Sequence, residues 1–248
     1  RPRRCGRPPV RYEIGIDAML EEPPLLQIQR PARRPTDAQI AALKDQPTGF
    51  LCDAMDGKGG LDPELKLLDI HALPTRFCGV ALTSDNGPDD LLGLMGSLSL
   101  IQPGDVMVAA TGAWRGSAVA GDRVLGMCRN SGAVGFVTDG LVRDHEGLVE
   151  VGLPIVCAGI TPNSPYTKGP AKVGTPVVVG GVRIETGDLV VADRTGTVVV
   201  PFDLIDDVIA TVRRIEGLEA EMDAKVAAGQ KVPGAIEELL SSDKVRWL

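Results

Sequence analysis

The stretch Ala133-Val134-Gly135-Phe136-Val137-Thr138-Asp139-Gly140-Leu141-Val142-Arg143-Asp144-His145-Glu146 decides the fold class. Ala133 to Thr138 is a short run of apolar and small residues, which reads as a buried strand, and Asp139-Gly140 turns the chain. A polar cluster follows, and a short helix is expected to start near Asp144. A buried strand that runs into a polar turn and a helix is the unit of α/β sheets, in which ligands sit beyond the carboxyl ends of the strands.

The same logic extends in both directions. Upstream, Pro103-Gly104-Asp105 turns into a strand from Val106 to Ala110, and Ala118 to Asn130 has a helical pattern with Val119, Val124, Leu125 and Cys128 as core candidates. Phe77 to Thr83 reads as a strand. Pro88, with Asp89 and Asp90 behind it, is expected to start a helix through Ser99. Thr36 and Gln39 have the form of a capping box ahead of the stripe Ile40, Ala41, Leu43. A short helix over Thr48 to Met55 follows. Asp56 to Gly60 is then either a flexible turn or a loop that closes over a ligand. Downstream, Pro154 to Ala158 is a strand, and Thr161 to Pro170 is a Pro/Gly/Ser-rich connector. Val177 to Val179 and Val182 to Ile184 flank Gly180-Gly181 as a hairpin. Strands from Gly187 to Ala192 and from Thr197 to Val200 precede a long helix from Phe202 to Ala228. Alternating elements first and consecutive strands later make one mixed α/β domain without internal repeats.

Composition narrows the function. The 248 residues are 44% hydrophobic and carry a net charge of -7; aromatics are 3%, and the only histidines are His71 and His145. A His-rich zinc site and a base-stacking nucleic-acid surface both lack their residues, and an acidic chain is a poor nucleic-acid binder. Residues 1–35 hold eight Arg and four acids, so residues 36–248 have 18 basic against 29 acidic side chains, a net -11. Residues 1–34 are expected to form a basic, Pro/Arg-rich, poorly ordered extension, or an anion-binding arm, and residues 35–248 the folded domain. The head has no apolar signal core, and Met19 offers an alternative start. Five widely spaced cysteines (Cys5, Cys52, Cys78, Cys128, Cys157) contain no CxxC pair and read as small buried hydrophobes in a reducing cytoplasm. No apolar run reaches the ~18 residues of a membrane span.

Chemistry concentrates in two places. Arg143 can bind a carboxylate in bidentate fashion, and Asp144 is a hard oxygen ligand suited to Mg²⁺ or Mn²⁺; the pair is equally consistent with a solvated turn. Gly121-Asp122-Arg123-Val124 lies inside the small-residue lead-in and the helical pattern, where backbone N–H groups can bind an anion. Twenty residues separate Asp122 from Arg143, room for a helix and a strand that return the chain to one sheet edge.

These residues resemble the RraA-like family, including its class II pyruvate aldolases acting on 4-hydroxy-4-methyl-2-oxoglutarate and 4-carboxy-4-hydroxy-2-oxoadipate. The matching pieces run in order: Cys52-Asp53-Ala54-Met55, Pro103-Gly104-Asp105-Val106, Gly121-Asp122, Gly132-Ala133-Val134-Gly135, Asp139 to Asp144, Gly152-Leu153-Pro154, Gly159 to Pro162, Gly180-Gly181-Val182, Gly187 to Asp193 and Gly196 to Pro201. The aldolase pattern has an acid three residues after the Arg-Asp pair's aspartate; this chain has Gly147 there, with Glu146 one position early. The resemblance implies a layered α/β/β/α sandwich, swivelling β/β/α-like, with a long C-terminal helix. It implies a lyase that releases pyruvate from a 4-hydroxy-2-oxo diacid and can also decarboxylate oxaloacetate. Asp144 would hold the divalent metal (Mg²⁺ or Mn²⁺), Asp122 would contact the metal or its waters, amides of Gly121 to Val124 would hold the substrate carboxylate, and Arg143 would stabilise the enolate. A metal-activated water or His145 would carry the proton. A homotrimer or homohexamer is implied, with an acid from a neighbouring subunit; Glu185, Asp188 and Asp193 are turn acids that could equally be caps. The alternative is a non-catalytic, protein-binding regulator of RNA degradation, though such members generally lack the full Asp and Arg-Asp set. A methyltransferase has no support, since no Gly-x-Gly-x-Gly loop follows an early strand.

Overall fold

Four parallel strands of the central sheet aim their carboxyl ends at one edge. In this computed structural model, which describes residues 24–248, the elements in chain order are β1 (Leu26–Ile28), α1 (Asp37–Leu43), α2 (Thr48–Ala54), β2 (Lys66–Leu67), β3 (Phe77–Asp85), α3 (Leu92–Ser97), β4 (Asp105–Ala110), β5 (Ala118–Ala120), α4 (Asp122–Asn130), β6 (Gly135–Thr138), β7 (Leu141–Val142), α5 (His145–Val151) and β8 (Ile155–Cys157). They continue with β9 (Ala171–Val173), β10 (Val177–Val179), β11 (Val182–Ile184), β12 (Leu189–Ala192), β13 (Thr197–Val200), α6 (Ile205–Ala227) and α7 (Gly234–Leu240). The main sheet has the order β1-β9-β3-β4-β6-β8-β2, with β3, β4, β6 and β8 mutually parallel. β3 forks: its first half pairs antiparallel with β12, and its last residues pair with β9.

The alternating side chains of these strands sort into three cores, which produce four layers. One face of the parallel strands packs on α4 and α5 through Leu82, Met107, Phe136, Leu125 and Leu148. The opposite face, with Ala81, Val106, Val108 and Val137, meets Val190 and Val199 of the β12–β13 pair and Val179 and Ile184 of the hairpin. The outer face of β12–β13 (Leu189, Val191, Val198, Val200) is covered by Leu43, Leu51, Val208 and Val212 of α1, α2 and α6. Helix, sheet, sheet, helix is the expected α/β/β/α sandwich, and α6, at 23 residues, is the expected long helix. The Thr36–Gln39 capping box and the hairpin also form as expected.

Three expectations change. The helix expected from Pro88 begins only at Leu92. Asp89 has φ 60°, and the buried Asp90 carboxylate accepts from the amides of Leu92 (2.7 Å), Lys168 (2.6 Å) and Gly169 (3.0 Å). The remote donors, Lys168 and Gly169, make the aspartate a clasp between the start of α3 and the connector rather than a first-turn residue. The helix expected from Ala118 is preceded by a strand, because Ala118–Ala120 is fully buried and pairs in parallel with Leu141–Val142. The domain also starts before residue 35. Leu26–Ile28 pairs with Ala171–Val173, Arg34 bonds to buried Asp105, and Arg33 bonds to Glu185 (2.9 Å) beside buried Asp188 (3.7 Å). The rest of the expected basic extension, residues 1–23 with Cys5 and Met19, lies outside the described residues.

Asp193, in the β12–β13 turn, closes the second sheet onto the helices. Pro47 at the N-cap of α2 offers no side-chain cap, and Asp193 supplies one from across the fold, accepting from the Thr48 amide (3.0 Å) and hydroxyl (2.8 Å). Burial pushes its pKa up, but the bonds from Thr48 and from the Thr195 and Gly196 amides outweigh that and leave it below the ordinary value. A depressed folded-state pKa means stability that is present above the ordinary carboxylate pKa and lost as pH falls through the folded value. Asp193→Ala is expected to cost about 1–2 kcal/mol at neutral pH in denaturant unfolding, and the gap to the parent should shrink in acid. An equal gap at both pH values would contradict this role.

Candidate active site

The β5–β7 pair assembles the site. Ala118 pairs with Leu141 and Ala120 with Val142, and the Arg143 amide donates to the Ala120 carbonyl at 3.0 Å. Gly121-Asp122 and Arg143-Asp144 therefore leave neighbouring strand ends side by side. One pair enters the first turn of α4, with Gly121 as N-cap; the other enters α5, with Asp144 as N-cap. Asp144 adopts left-handed backbone (φ 63°, ψ 52°), which Asp tolerates better than most residues.

Closeness at this junction depends on two glycines. A Cβ on Gly121 would lie 2.5 Å from Asp144 Oδ2 and 3.1 Å from Arg143 Cγ; one on Gly147 would lie 2.5 Å from Asp122 Oδ2. Gly147, where the family pattern has an acid, thus provides the space in which Asp122 packs against α5. Glu146 is exposed and stands outside the cleft lining.

All six residues singled out in the sequence (Gly121, Asp122, Arg123, Val124, Arg143, Asp144) line one open cleft of about 270 Å³. Arg143 is fixed on two sides. Its Nε donates to Asp144 Oδ2 at 2.9 Å, and Nη1 donates to Ser164 Oγ. The Arg123 amide donates to Asp122 Oδ1 at 2.6 Å, so of the first-turn amides of α4 those of Asp122 and Val124 are left for an anion. Ala120 of β5 with Leu91, Ser164 and Pro165 complete the wall, and the last three escaped sequence reasoning. They come from a pre-helical turn and the polar connector, and nothing local signals that the fold folds them over Arg143.

Other candidates fall elsewhere. His145 Nε2 stands 3.1 Å from Asp69 Oδ2 and does not line the cleft. Glu185 pairs with Arg33 and Arg183, Asp188 accepts from the amides of Glu185 and Phe202, and Asp193 caps α2. A larger cavity, about 610 Å³, lies between α2 and the β12–β13 turn, but its Asp193 is already committed to Thr48. The described cysteines are free thiols, and burial pushes Cys78 and Cys128 up to about 12 and Cys157 to about 11, which disfavours the reactive thiolate.

Among the described residues no group of three or more His, Cys, Asp or Glu could hold a metal ion. A cation here would depend on Asp144 and Asp122 and a largely aqueous shell, an arrangement suited to Mg²⁺ or Mn²⁺. The bare Gly121 surface beside Asp144 Oδ2, which a Cβ would fill, leaves that carboxylate accessible. No helix among the described residues is long and apolar enough to cross a membrane.

A four-layer α/β sandwich with an Asp and an Arg-Asp pair at paired strand ends defines a class, and comparison identifies it. A sequence profile of the Aldolase/RraA family, RraA-like, matches residues 48–199. The chain belongs to this family. A protein of Halalkalibacterium halodurans named "Putative 4-hydroxy-4-methyl-2-oxoglutarate aldolase" is 32% identical over 175 residues, 71% of this chain and 82% of that one. Among solved structures, Streptomyces coelicolor RraAS2, described as an unusual member of the RNase ES inhibitor RraA protein family, aligns with TM-score 0.69 at 28% identity, covering 77% of this chain and 100% of that chain. An uncharacterized protein from Pseudomonas syringae pv. tomato aligns with TM-score 0.68 at 26% identity, covering 80% and 96%.

Gly121→Ala tests the junction without removing any charged group. It is expected to displace the Arg143–Asp144 pair and to weaken Mn²⁺ binding or turnover by about 10²-fold, the scale of a 1 Å misplacement, with little change in melting temperature. Unchanged binding and turnover would show that the close approach is unimportant.

Proposed function

We propose that this chain is a divalent-metal-dependent carbon–carbon lyase. It cleaves a 4-hydroxy-2-oxo diacid of the 4-hydroxy-4-methyl-2-oxoglutarate type to pyruvate and a second 2-oxo acid, and decarboxylates oxaloacetate as a side reaction. The observation that carries this reading is the junction itself: Arg143, clamped by Asp144 and Ser164, beside Asp122 and the α4 N-terminus in one cleft. The aldolase name of the Halalkalibacterium halodurans relative supports the reaction class.

Asp144 would hold Mg²⁺ or Mn²⁺ directly, and Asp122 would bond to its waters. The bound cation supplies Lewis acidity at the 2-oxo group. The Asp122 and Val124 amides hold the adjacent carboxylate. Arg143 donates to the oxygen on which negative charge develops as the C3–C4 bond breaks, an oxyanion-type contact typically worth about 3–4 kcal/mol in the barrier. The 4-hydroxyl proton leaves through cleft water, because His145 is held by Asp69, and C3 takes a proton back to give pyruvate. No lysine lines the cleft, which leaves a Schiff-base route without its amine.

The same reading includes a homotrimer or homohexamer in which a neighbour supplies a further acid, and no nucleic-acid partner for the acidic body. Leu218, Met222 and Val226 extend the buried stripe of α6 beyond the domain as exposed side chains, which supports assembly. The free thiols support a cytoplasmic location. A second reading, a non-catalytic regulator, draws on the likeness to RraAS2.

A coupled pyruvate assay over a panel of 2-oxo acids separates the two. The lyase is expected to turn over the branched diacid with Mg²⁺ or Mn²⁺ and to lose activity in EDTA and in Asp144→Ala. Absence of turnover on every 2-oxo acid would favour the regulator.

A further inference from the structure

Two cationic residues line the cleft, and only one has its guanidinium engaged. Arg143 spends Nε on Asp144 and Nη1 on Ser164. Arg123, one residue into α4, is exposed, and its guanidinium makes no ion pair or hydrogen bond among the described residues. The rest of the lining offers a second carboxylate nothing. Leu91, Ala120, Val124 and Pro165 are apolar, Asp122 and Asp144 repel an anion, and Ser164 is already paired with Arg143.

A substrate with two carboxylates must satisfy both in a cleft of about 270 Å³. The first, beside the 2-oxo group, is taken by the α4 amides in the lyase reading. We propose that Arg123 is the specificity-determining residue that binds the distal carboxylate, so that the cleft selects dicarboxylic over monocarboxylic 4-hydroxy-2-oxo acids. A guanidinium is suited to this, because its planar fork meets a carboxylate with two parallel hydrogen bonds. The assignment rests on the lyase reading for its substrate but not for its binding chemistry.

Two measurements on wild type and Arg123→Met keep those dependencies apart. In the first, kcat/KM is compared for 4-hydroxy-4-methyl-2-oxoglutarate and the monoacid 4-hydroxy-2-oxopentanoate with Mg²⁺. The diacid-to-monoacid ratio is expected to fall about tenfold or more in the variant, mainly through KM, whereas Arg143→Lys should lower both substrates together. In the second, calorimetry with Mg²⁺ compares 2-oxoglutarate with pyruvate, which share the proximal end and differ in the distal carboxylate. Wild type is expected to bind 2-oxoglutarate more tightly, and Arg123→Met to erase the preference at unchanged melting temperature. If wild type turns over neither acid, the lyase reading fails and the calorimetry still decides the role of Arg123. A ratio and a binding preference that survive Arg123→Met would overturn the proposal.

Discussion

Two short parallel strands, β5 and β7, carry the site. Each is too brief to be stable alone, and both are held by full burial above the ends of the main sheet. Their pairing fixes the spacing between Gly121-Asp122 and Arg143-Asp144 more tightly than the intervening helix and strand could. Gly121 turns that spacing into contact, since any side chain there would occupy the space of Asp144 Oδ2. The left-handed backbone of Asp144 then redirects the chain into α5 while its carboxylate stays against Arg143. Local backbone strain of this kind, of order 1 kcal/mol, persists where the surrounding structure over-determines it. Here strand pairing on one side and helix packing on the other do so.

The shortage of histidine and aromatic residues acquires a chemical meaning at this junction. In the proposed lyase, anions would be met by arginine and helix-terminal amides, and a hard cation by carboxylates with water. An overall negative field, net -7 over the chain, gives no long-range attraction for the proposed anionic substrate, whose recognition would have to be local. Arg33 and Arg34, which look in sequence like part of a basic tail, serve another purpose: they neutralise the buried Asp188 and Asp105 and fasten the segment before α1. Burial raises the pKa of both carboxylates, and backbone amides and the arginines pull against it.

Much of this was legible in the sequence, because the strongest signals are periodic and local. Buried strands such as Val106–Ala110, the Gly180-Gly181 hairpin and the Thr36–Gln39 cap depend on near neighbours, and they formed where expected. The six residues singled out by spacing and the family pattern all line one cleft. The misreadings share a cause: remote partners. Ala118–Ala120 has no strand signature of its own and becomes one through Leu141–Val142. Asp90 bonds the first amide of α3 and, with its other oxygen, amides nearly eighty positions away in the chain. Leu26–Ile28 finds β9, and Ser164 finds Arg143. Three small residues or a single serine carry too little local information to announce such contacts.

In the proposed lyase, the β5–β7 junction is where a divalent cation and a 2-oxo acid meet. The most direct measurement is a crystal structure of the protein soaked with Mn²⁺ and oxalate, a planar mimic of the pyruvate enolate, using the anomalous signal of manganese. The expected result is one Mn²⁺ bonded to Asp144, with oxalate between it, Arg143 and the first turn of α4. Manganese bound elsewhere, or oxalate bound away from Arg143, would contradict the account.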